Sequence, residues 1–150
     1  MLHTFTGLEG DGANPFAGLI IDKSGNLYGT TYGGGYYQLG TVFKIAPNGT
    51  ETVLNYFTGL KRGEFPEAGL LMDKGGSLYG TTEKGGSDNL GTLFEVSPNG
   101  QEKALLSFDG YYGGAAPVAG LIADSSGNLY GTAPMGGLYN LGVVFKLTNK

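Results

Sequence analysis

The sequence contains no cysteine and only one histidine. The absence of cysteine excludes disulfide bonds and thiolate zinc sites. Basic residues are also few, because nine lysines and arginines stand against thirteen acidic residues, which gives a formal net charge of −4. Since binding to phosphate backbones requires clustered cations, we expect no nucleic-acid partner.

Long apolar runs and helical patterns are missing as well. No segment approaches the roughly 18 apolar residues of a membrane span, so we expect no membrane insertion. Strand-like residues follow Met1 directly, and no signal peptide is recognised. No window of about ten residues places apolar side chains at i, i+3, i+4 and i+7, which predicts essentially no helix.

Glycine is abundant instead, with 30 residues among 150, and it follows a fixed period. The segment Asn26–Thr30 (Asn-Leu-Tyr-Gly-Thr) returns as 77–81 and 128–132, a spacing of 51 residues both times. The same period relates Pro15, Ala17-Gly18-Leu19, Asp22 and Leu39–Phe43 to their later copies. A period of this size indicates a chain built from one repeated supersecondary unit.

Each copy predicts four short strands, which in the first copy are Phe16–Ile21, Leu27–Thr31, Thr41–Ile45 and Thr52–Phe57. Asp, Asn and Gly residues at 22–26 and 47–49 are typical of tight hairpin turns. The strands carry apolar residues on both faces, so each small sheet must be covered on both sides. Stacking of four-stranded sheets around an axis achieves this, and the predicted fold class is an all-β, β-propeller architecture with glycines near the axis.

The ends of the chain are offset by one strand. Leu2–Phe5 aligns with the fourth strands at 54–57 and 105–108, whereas the third copy lacks its own fourth strand. We therefore predict one domain over 1–150 with blades at about 15–57, 66–108 and 117–147, the last completed by residues 2–5 of the same or a neighbouring chain.

Three blades are fewer than the roughly four to eight that close a ring. Two alternatives follow. Either the chain is excised from a longer array, or it assembles with itself, giving six blades as a homodimer or nine as a homotrimer. We favour assembly, because an open arc exposes apolar blade faces and a strand edge.

The pattern Ala-Gly-Leu-Ile-x-Asp-x-x-Gly-Asn-Leu-Tyr-Gly-Thr-Thr at 17–31, followed by glycines and Leu-Gly-Thr-Val-Phe-Lys at 39–44, resembles the GloVer (Gloeo-Verruco) tandem repeats of bacterial proteins. Three copies in register carry the resemblance over nearly the whole chain. It implies an extracellular or cell-surface bacterial propeller and supplies no activity or catalytic residue. The third copy departs from the pattern at Ala133-Pro134.

Candidate chemistry is sparse. His3 aligns with Asn55 and Leu106 on a predicted outermost strand, and we interpret it as a partly exposed strand residue. As the single histidine, it excludes a histidine-based metal site within one subunit, and we predict neither metal nor cofactor. Asp22, Ser24 and Asn26 have the alternate spacing of calcium ligands, but one carboxylate is few for calcium and the second copy loses the middle oxygen. A turn held by the aspartate is the preferred interpretation.

Two further signals are weak. The clusters 33–35, 85–86 and 136–137 lack the helix and lysine of a phosphate-binding loop, so we interpret these glycines as positive-φ loop positions. Acidic pairs for glycoside hydrolysis would have to come from connecting segments. Those segments contain Glu9, Asp11, Glu64, Glu67, Glu83, Asp88 and Asp109. An enzyme is not expected, and a polysaccharide lyase or hydrolase is the minor alternative.

The longer, divergent loops suggest where a ligand binds. In a four-stranded meander, the loop that enters each blade and the loop between its second and third strands lie at the same end. These loops carry tyrosines and amides suited to glycan stacking or protein recognition. The predicted ligand-binding residues are Asn14, Tyr36, Tyr37, Gln38, Asn89, Tyr111, Tyr112, Tyr139 and Asn140. The sequence thus predicts a non-catalytic binding module for a glycan or a surface protein, with a purely structural scaffold as the alternative.

Overall fold

The structure is a computed structural model that describes residues 1–149, and it is almost entirely β. The first repeat contains β1 (Gly12–Ala13), β2 (Ile20–Ile21), β3 (Leu27–Thr31), β4 (Gly33–Gly34), β5 (Thr41–Ile45) and β6 (Glu51–Tyr56). The second contains β7 (Leu71–Met72), β8 (Leu78–Thr82), β9 (Thr92–Val96) and β10 (Glu102–Ser107), and the third contains β11 (Ile122–Ala123), β12 (Leu129–Ala133) and β13 (Val143–Leu147). The one helical element in the described chain is a 3-10 turn at Leu60–Arg62.

The strands form one antiparallel sheet per repeat. The first sheet has the order β2-β3-β5-β6, the second β7-β8-β9-β10 and the third β11-β12-β13, while β1 and β4 form a separate two-stranded ribbon. Register shifts interrupt the outer pairs between Val42 and Phe43 and between Ala104 and Leu106. The predicted all-β class with four-stranded meanders is confirmed.

Two predicted strands differ from the structure. The first strand of the first repeat covers only Ile20–Ile21 rather than Phe16–Ile21. In the following repeats the carbonyls of Ala68 and Pro117 accept hydrogen bonds from threonine hydroxyls of the preceding sheet, at 3.1 and 3.3 Å. Residues 2–5 form no strand within this chain, and their pairing with a neighbouring chain stays a prediction.

Phenylalanines from the ends of the outer strands hold the sheets together. Phe57 packs edge to face on Phe94 of the next sheet, with ring centroids 5.0 Å apart. Phe108 packs on Phe145 in the same manner at 5.0 Å. The N-terminal segment repeats this contact, because Phe5 lies 4.9 Å from Phe43 of the first sheet. The segment thus makes the contact that an outer strand makes with the sheet that follows it.

The core lies between successive sheets rather than inside any one of them. One buried cluster joins the first and second sheets and contains Val42, Phe57, Leu70, Leu78, Phe94 and Val96. A second joins the second and third sheets and contains Leu93, Phe108, Leu121, Leu129, Ala133 and Phe145. Each sheet is therefore stabilised by its neighbours, as expected for a stacked repeat.

The two outermost faces of this stack are exposed. Val42 and Leu93 are 0% exposed in the two interfaces, whereas Val144, at the same repeat position of the third sheet, is 79% exposed. On the opposite face, Leu70 and Leu121 are 6% and 7% exposed, but Leu19 of the first sheet is 51% exposed. Both faces are apolar surfaces whose repeat equivalents are buried.

No helix among residues 1–149 has the length and apolar character needed to cross a membrane.

Candidate functional site

Backbone pairing joins the two longer loops of each repeat at one end of its sheet. In the first repeat this pairing is the β1–β4 ribbon, with Gly12 opposite Gly34. The later repeats keep a single bridge, between Glu64 and Lys84 and between Ala115 and Met135. We call the surface formed by residues 7–14, 32–38, 59–65, 83–89, 109–116 and 134–140 the loop face.

The predicted tyrosines lie exposed on the loop face. Tyr36, Tyr37, Tyr111, Tyr112 and Tyr139 are all exposed, and Tyr139 reaches 81%. Tyr111 and Tyr112 stand edge to face with their ring centroids 4.6 Å apart. Tyr36 packs against Tyr56, at 4.7 Å, and so also anchors its own loop. The rings facing water offer apolar surface for stacking, with hydroxyls at their edges.

The tyrosines fall into two groups separated by charge. Tyr36 and Tyr37 belong to the first repeat, and the other three surround the entry to the third sheet together with the exposed Met135 and Leu138. Between them, the second repeat carries Lys61, Arg62, Lys84 and Asp88 at the corresponding loop positions. The loop face therefore presents two aromatic patches on either side of a polar loop pair.

The predicted amides serve the loops themselves. Asn14, Gln38, Asn89 and Asn140 have positive φ values of 59°, 59°, 57° and 56°. The side-chain oxygens of Asn89 and Asn140 accept backbone hydrogen bonds from Gly85 and Gly136, both at 2.9 Å. Asparagine suits a left-handed loop position with such a bond, so Asn89 and Asn140 brace their own loops. All four residues are exposed, and their role in binding stays a prediction. The glycine clusters next to them also have positive φ, as predicted.

The Asp-x-x-Gly turns lie at the opposite end of the sheets, and their aspartates are fully engaged. Asp22 Oδ1 accepts hydrogen bonds from the backbone of Ser24 and Asn26, at 2.8 and 2.9 Å. Its Oδ2 accepts from the Asn26 amide and the Tyr28 hydroxyl, at 2.7 and 3.0 Å. The Asn26 hydrogen bond chiefly lowers the pKa of Asp22 to about 2. Both carboxylate oxygens are thus used in a turn, as the preferred interpretation has it.

The repeated tyrosines Tyr28, Tyr79 and Tyr130 are half-buried and support the turns. Their rings lie at the sheet surface, and their hydroxyls donate to the turn aspartates Asp22, Asp73 and Asp124 at 3.0, 3.1 and 2.9 Å. Burial, followed by the Asp73 hydrogen bond, raises the pKa of Tyr79 to about 12.

Two clefts open between the sheets beside these turns. One of about 710 Å³ lies between the first and second sheets and includes Asp22, Lys44 and Asp73. Another of about 500 Å³ lies between the second and third sheets and includes Tyr79, Glu95 and Lys103. No loop-face tyrosine lines either cleft. The predicted binding residues therefore form an open surface rather than an enclosed pocket.

A third feature unites residues that the sequence leaves apart. Ligand atoms of His3, Asp11 and Glu51 lie within 4.8 Å of one another, under the loop face of the first repeat. His3 Nε2 and Asp11 Oδ1 are 3.5 Å apart. Sequence reasoning missed this cluster because its members come from the N-terminal segment, a loop and an outer strand. A single histidine does not exclude a mixed site with two carboxylates.

The two carboxylates of this cluster differ in their surroundings. Burial tends to raise the pKa of Asp11, but hydrogen bonds from the Thr6 backbone and hydroxyl to Oδ2, at 2.6 and 2.8 Å, outweigh it and the pKa is lowered. Burial raises the pKa of Glu51, and the negative charge of Asp11 raises it further. The side chains thus concentrate negative charge at a site with little access to water.

Comparisons with known proteins identify the repeat and the fold. A family model described as the Gloeobacter/Verrucomicrobia repeat matches residues 1–150. No curated protein matches the chain. Among solved structures, virginiamycin B lyase from Staphylococcus aureus is similar with a TM-score of 0.55 and 16% identity, over 92% of this chain and 43% of that one. A provisionally named gluconolactonase is similar with a TM-score of 0.52 and 18% identity, over 87% of this chain and 43% of that one.

At such identities the likeness concerns the fold alone. It supports the β-propeller-type architecture predicted from the repeat. The chain spans less than half the length of both solved structures.

Proposed function

The chain belongs to the Gloeobacter/Verrucomicrobia repeat family, and we propose that it is a non-catalytic propeller module that binds a glycan through its loop face. The observation that carries the proposal is the set of exposed tyrosines on the loops, with Tyr111 and Tyr112 paired at 4.6 Å. Aromatic faces with polar edges suit sugar rings, and an open surface suits a polymer better than a small molecule.

Two ionisable groups beside the clefts are poorly suited to proton transfer, in line with a non-catalytic role. The pKa of Asp22 is about 2 and that of Tyr79 about 12, so neither group beside the clefts is suited to exchange protons near neutrality. On the loop face, Glu83 accepts a hydrogen bond from Tyr32 and Asp109 accepts backbone hydrogen bonds from Tyr111 and Gly113. Turnover of a polysaccharide that disappears on changing one carboxylate would favour the lyase or hydrolase alternative.

The proposal includes self-association. The exposed faces of the first and third sheets have the same residue positions as the buried faces of the two internal interfaces, with Val144 matching Val42 and Leu93. A second copy can therefore cover Val144 with the Leu19 face by repeating a contact that already exists twice. Two chains would give six sheets and three chains nine.

An extracellular location is the remaining part of the proposal, and it rests on the resemblance to surface repeats of bacteria. Protease treatment of intact cells tests it. A smaller amount of the protein than in untreated cells, with a cytoplasmic marker preserved, supports an extracellular location. An unchanged amount of the protein after protease treatment contradicts it.

The binding proposal is tested by changing the paired tyrosines first. Tyr111 and Tyr112 are 60% and 75% exposed, so their replacement by alanine should abolish binding to a polysaccharide array with little change in melting temperature. The double Phe variant is the matched control, because it keeps the ring faces. A second variant at Tyr36 and Tyr37 separates the two aromatic patches. Unchanged array binding by both alanine variants would contradict the site.

If the wild-type chain binds no polysaccharide but binds a bacterial surface protein with the same loss in the alanine variants, the loop face is a protein-binding site instead. If the wild-type chain binds neither a polysaccharide nor a surface protein, the purely structural scaffold is favoured.

A further inference from the structure

The cluster of His3, Asp11 and Glu51 offers three unused ligand atoms. His3 Nε2, Asp11 Oδ1 and Glu51 Oε1 are each shielded from solvent, and none has a hydrogen-bond partner among the described residues. A buried polar atom without a partner is costly, and three such atoms facing one point require an explanation. A bound cation satisfies all of them together.

His3 Nε2 and Asp11 Oδ1 lie within ion-pair distance, and their separation also suits two ligands of one divalent metal ion. The 3.5 Å between His3 Nε2 and Asp11 Oδ1 exceeds the distance of a normal hydrogen bond. It is close to the roughly 3.4 Å that separates two ligands of a tetrahedral ion bound at about 2.1 Å. One imidazole and two carboxylates are a common ligand set for zinc and similar divalent ions.

The second repeat allows a comparison, because an arginine side chain supplies a positive charge at the equivalent position. Gly12 lies against Thr31, and Gly63 lies against Thr82 at the same repeat position. This register aligns Asp11 with Arg62 and Glu51 with Glu102. Arg62 Nη1 lies 3.3 Å from Glu102 Oε2, and the Glu102 side chain is only 2% exposed. One oxygen of this buried glutamate is thus paired with a guanidinium, whereas Glu102 Oε1 and Asn55 Nδ2 lack a hydrogen-bond partner among the described residues, as Glu51 Oε1 and His3 Nε2 do in the first repeat. The two repeats therefore differ in the charge at position 11 or 62 rather than in these unpartnered atoms.

The first repeat keeps the glutamate and loses that cation. Asp11 stands where Arg62 stands, so the charge at this position changes from positive to negative. His3 stands where the outer strand of the first sheet has Asn55, and it replaces an amide by a metal-binding imidazole. Among residues 1–149, no lysine or arginine forms an ion pair with Glu51. Two carboxylates therefore share one site without a fixed positive charge.

We propose that His3, Asp11 and Glu51 bind one divalent transition-metal ion, of the zinc class, in the first repeat. Two carboxylates balance the charge of such an ion. The bound ion would join the N-terminal segment, the first loop and strand β6. It would reinforce the Phe5–Phe43 contact that holds residues 1–6 on the first sheet.

The test uses tag-free protein freed of metal with a chelator and then titrated with Co²⁺ and Zn²⁺. Co²⁺ reports its coordination by visible absorption, and calorimetry gives the stoichiometry for Zn²⁺. Cu²⁺ and Ni²⁺ are unsuitable, because a free amino terminus with histidine at position 3 binds them by itself. We expect one ion per chain and a higher melting temperature in its presence.

The variants Asp11→Asn and Glu51→Gln should each weaken binding by at least about 100-fold, since loss of groups that merely orient a ligand already costs about 10- to 100-fold. Glu102→Gln is the matched control, because it removes the equivalent glutamate beside Arg62 and should leave metal affinity unchanged. Wild-type protein without saturable binding of either ion, or binding that survives both variants, overturns the proposal.

A gain-of-site variant covers the case in which the first-repeat variants fail to fold. The double change Asn55→His and Arg62→Asp places the same three residue types in the second repeat. A rise from one to two ions per chain supports the ligand assignment. A folded double variant that still binds one ion contradicts it.

Discussion

The glycines of the repeated Leu-Tyr-Gly-Thr motif are required by the lack of room for a side chain and not by a positive φ. A methyl group added at Gly80 would lie 2.6 Å from Cζ of Phe94, and one at Gly29 would lie 2.7 Å from Cζ of Phe43. Neither glycine has a positive φ. The ring of each central phenylalanine thus covers a glycine of the neighbouring strand.

Replacing such a glycine should therefore destabilise the protein by overpacking. We expect Gly80→Ala to lower the free energy of unfolding by about 1–3 kcal/mol, because the Phe94 ring is buried and has little freedom to move. Gly120→Ala is the control, since its added methyl would meet nothing closer than 4.0 Å and its φ is not positive. Urea unfolding of both variants measures the difference. Equal stabilities would contradict the packing argument.

The candidate residues divide by how local their signal is. The turn aspartates were identified correctly, because Asp-x-x-Gly encodes hydrogen bonds within five residues of chain. The exposure of the loop tyrosines followed from loops that diverge between repeats. The environment of His3 was not predictable, because Asp11 and Glu51 approach it only when the N-terminal segment docks on the first sheet.

At the scale of elements, threonine side chains join the two inner strands within each of the first two sheets. Thr82 and Thr92 face each other in β8 and β9, with their hydroxyls 2.8 Å apart, and Thr31 and Thr41 do the same in the first sheet at 2.7 Å. The third sheet has Ala133 opposite Val143 in this register. The same pair of strand positions is therefore filled by two hydrogen-bonded threonines in the first two sheets and by two apolar residues in the third.

This difference predicts non-additive effects of substitution. Thr82→Ala alone removes the hydroxyl that accepts from the Thr92 backbone, and should cost about 1–3 kcal/mol of unfolding free energy. The double variant Thr82→Ala, Thr92→Val reproduces the third sheet and should cost less than the two single changes together. A double-mutant cycle by urea unfolding tests this. Strict additivity would show that the hydroxyls act independently.

Strand prediction worked best where each strand has partners on both sides. The inner strands Leu27–Thr31 and Thr41–Ile45 match the structure in both bounds, because their turns and side-chain patterns are complete within the repeat. The first strand was predicted too long, because Pro15 and Gly18 disfavour regular strand pairing in the residues before Ile20. Residues 2–5 lack strand pairing within the chain, although Phe5 packs as an outer-strand phenylalanine does.

At the scale of the whole molecule, the repeated interface leaves its two matching halves exposed at opposite ends. Leu141 and Val144 project from the third sheet and Leu19 from the first. Their repeat equivalents Leu39, Val42 and Leu70 belong to the cluster between the first two sheets. The two exposed faces differ from each other, so copies would join head to tail through a heterologous interface. They would form a closed ring when the rotation between successive copies brings the last copy back to the first.

The mass in solution tests this association directly. Light scattering behind a sizing column should give two or three times 15.5 kDa. Val144→Lys should reduce the mass to one chain and leave the circular dichroism spectrum unchanged, because this side chain is 79% exposed on the outer face of the third sheet. Tyr139→Lys is the control for added charge on an exposed residue of the third repeat, outside the outer face. A wild-type mass of one chain would contradict self-association.

The phenylalanine contacts have a consequence for how such genes lengthen. Each outer strand pairs with its own sheet but places its last phenylalanine against the following one, as Phe57 does on Phe94. The packing unit is therefore shifted by one strand from the hydrogen-bonded unit. Recombination with breakpoints in the turns at 47–49 and 98–100 would transfer β6 to β9 as one segment, with both members of that aromatic pair. Repeats can then be gained or lost with both members of each aromatic pair kept on one segment.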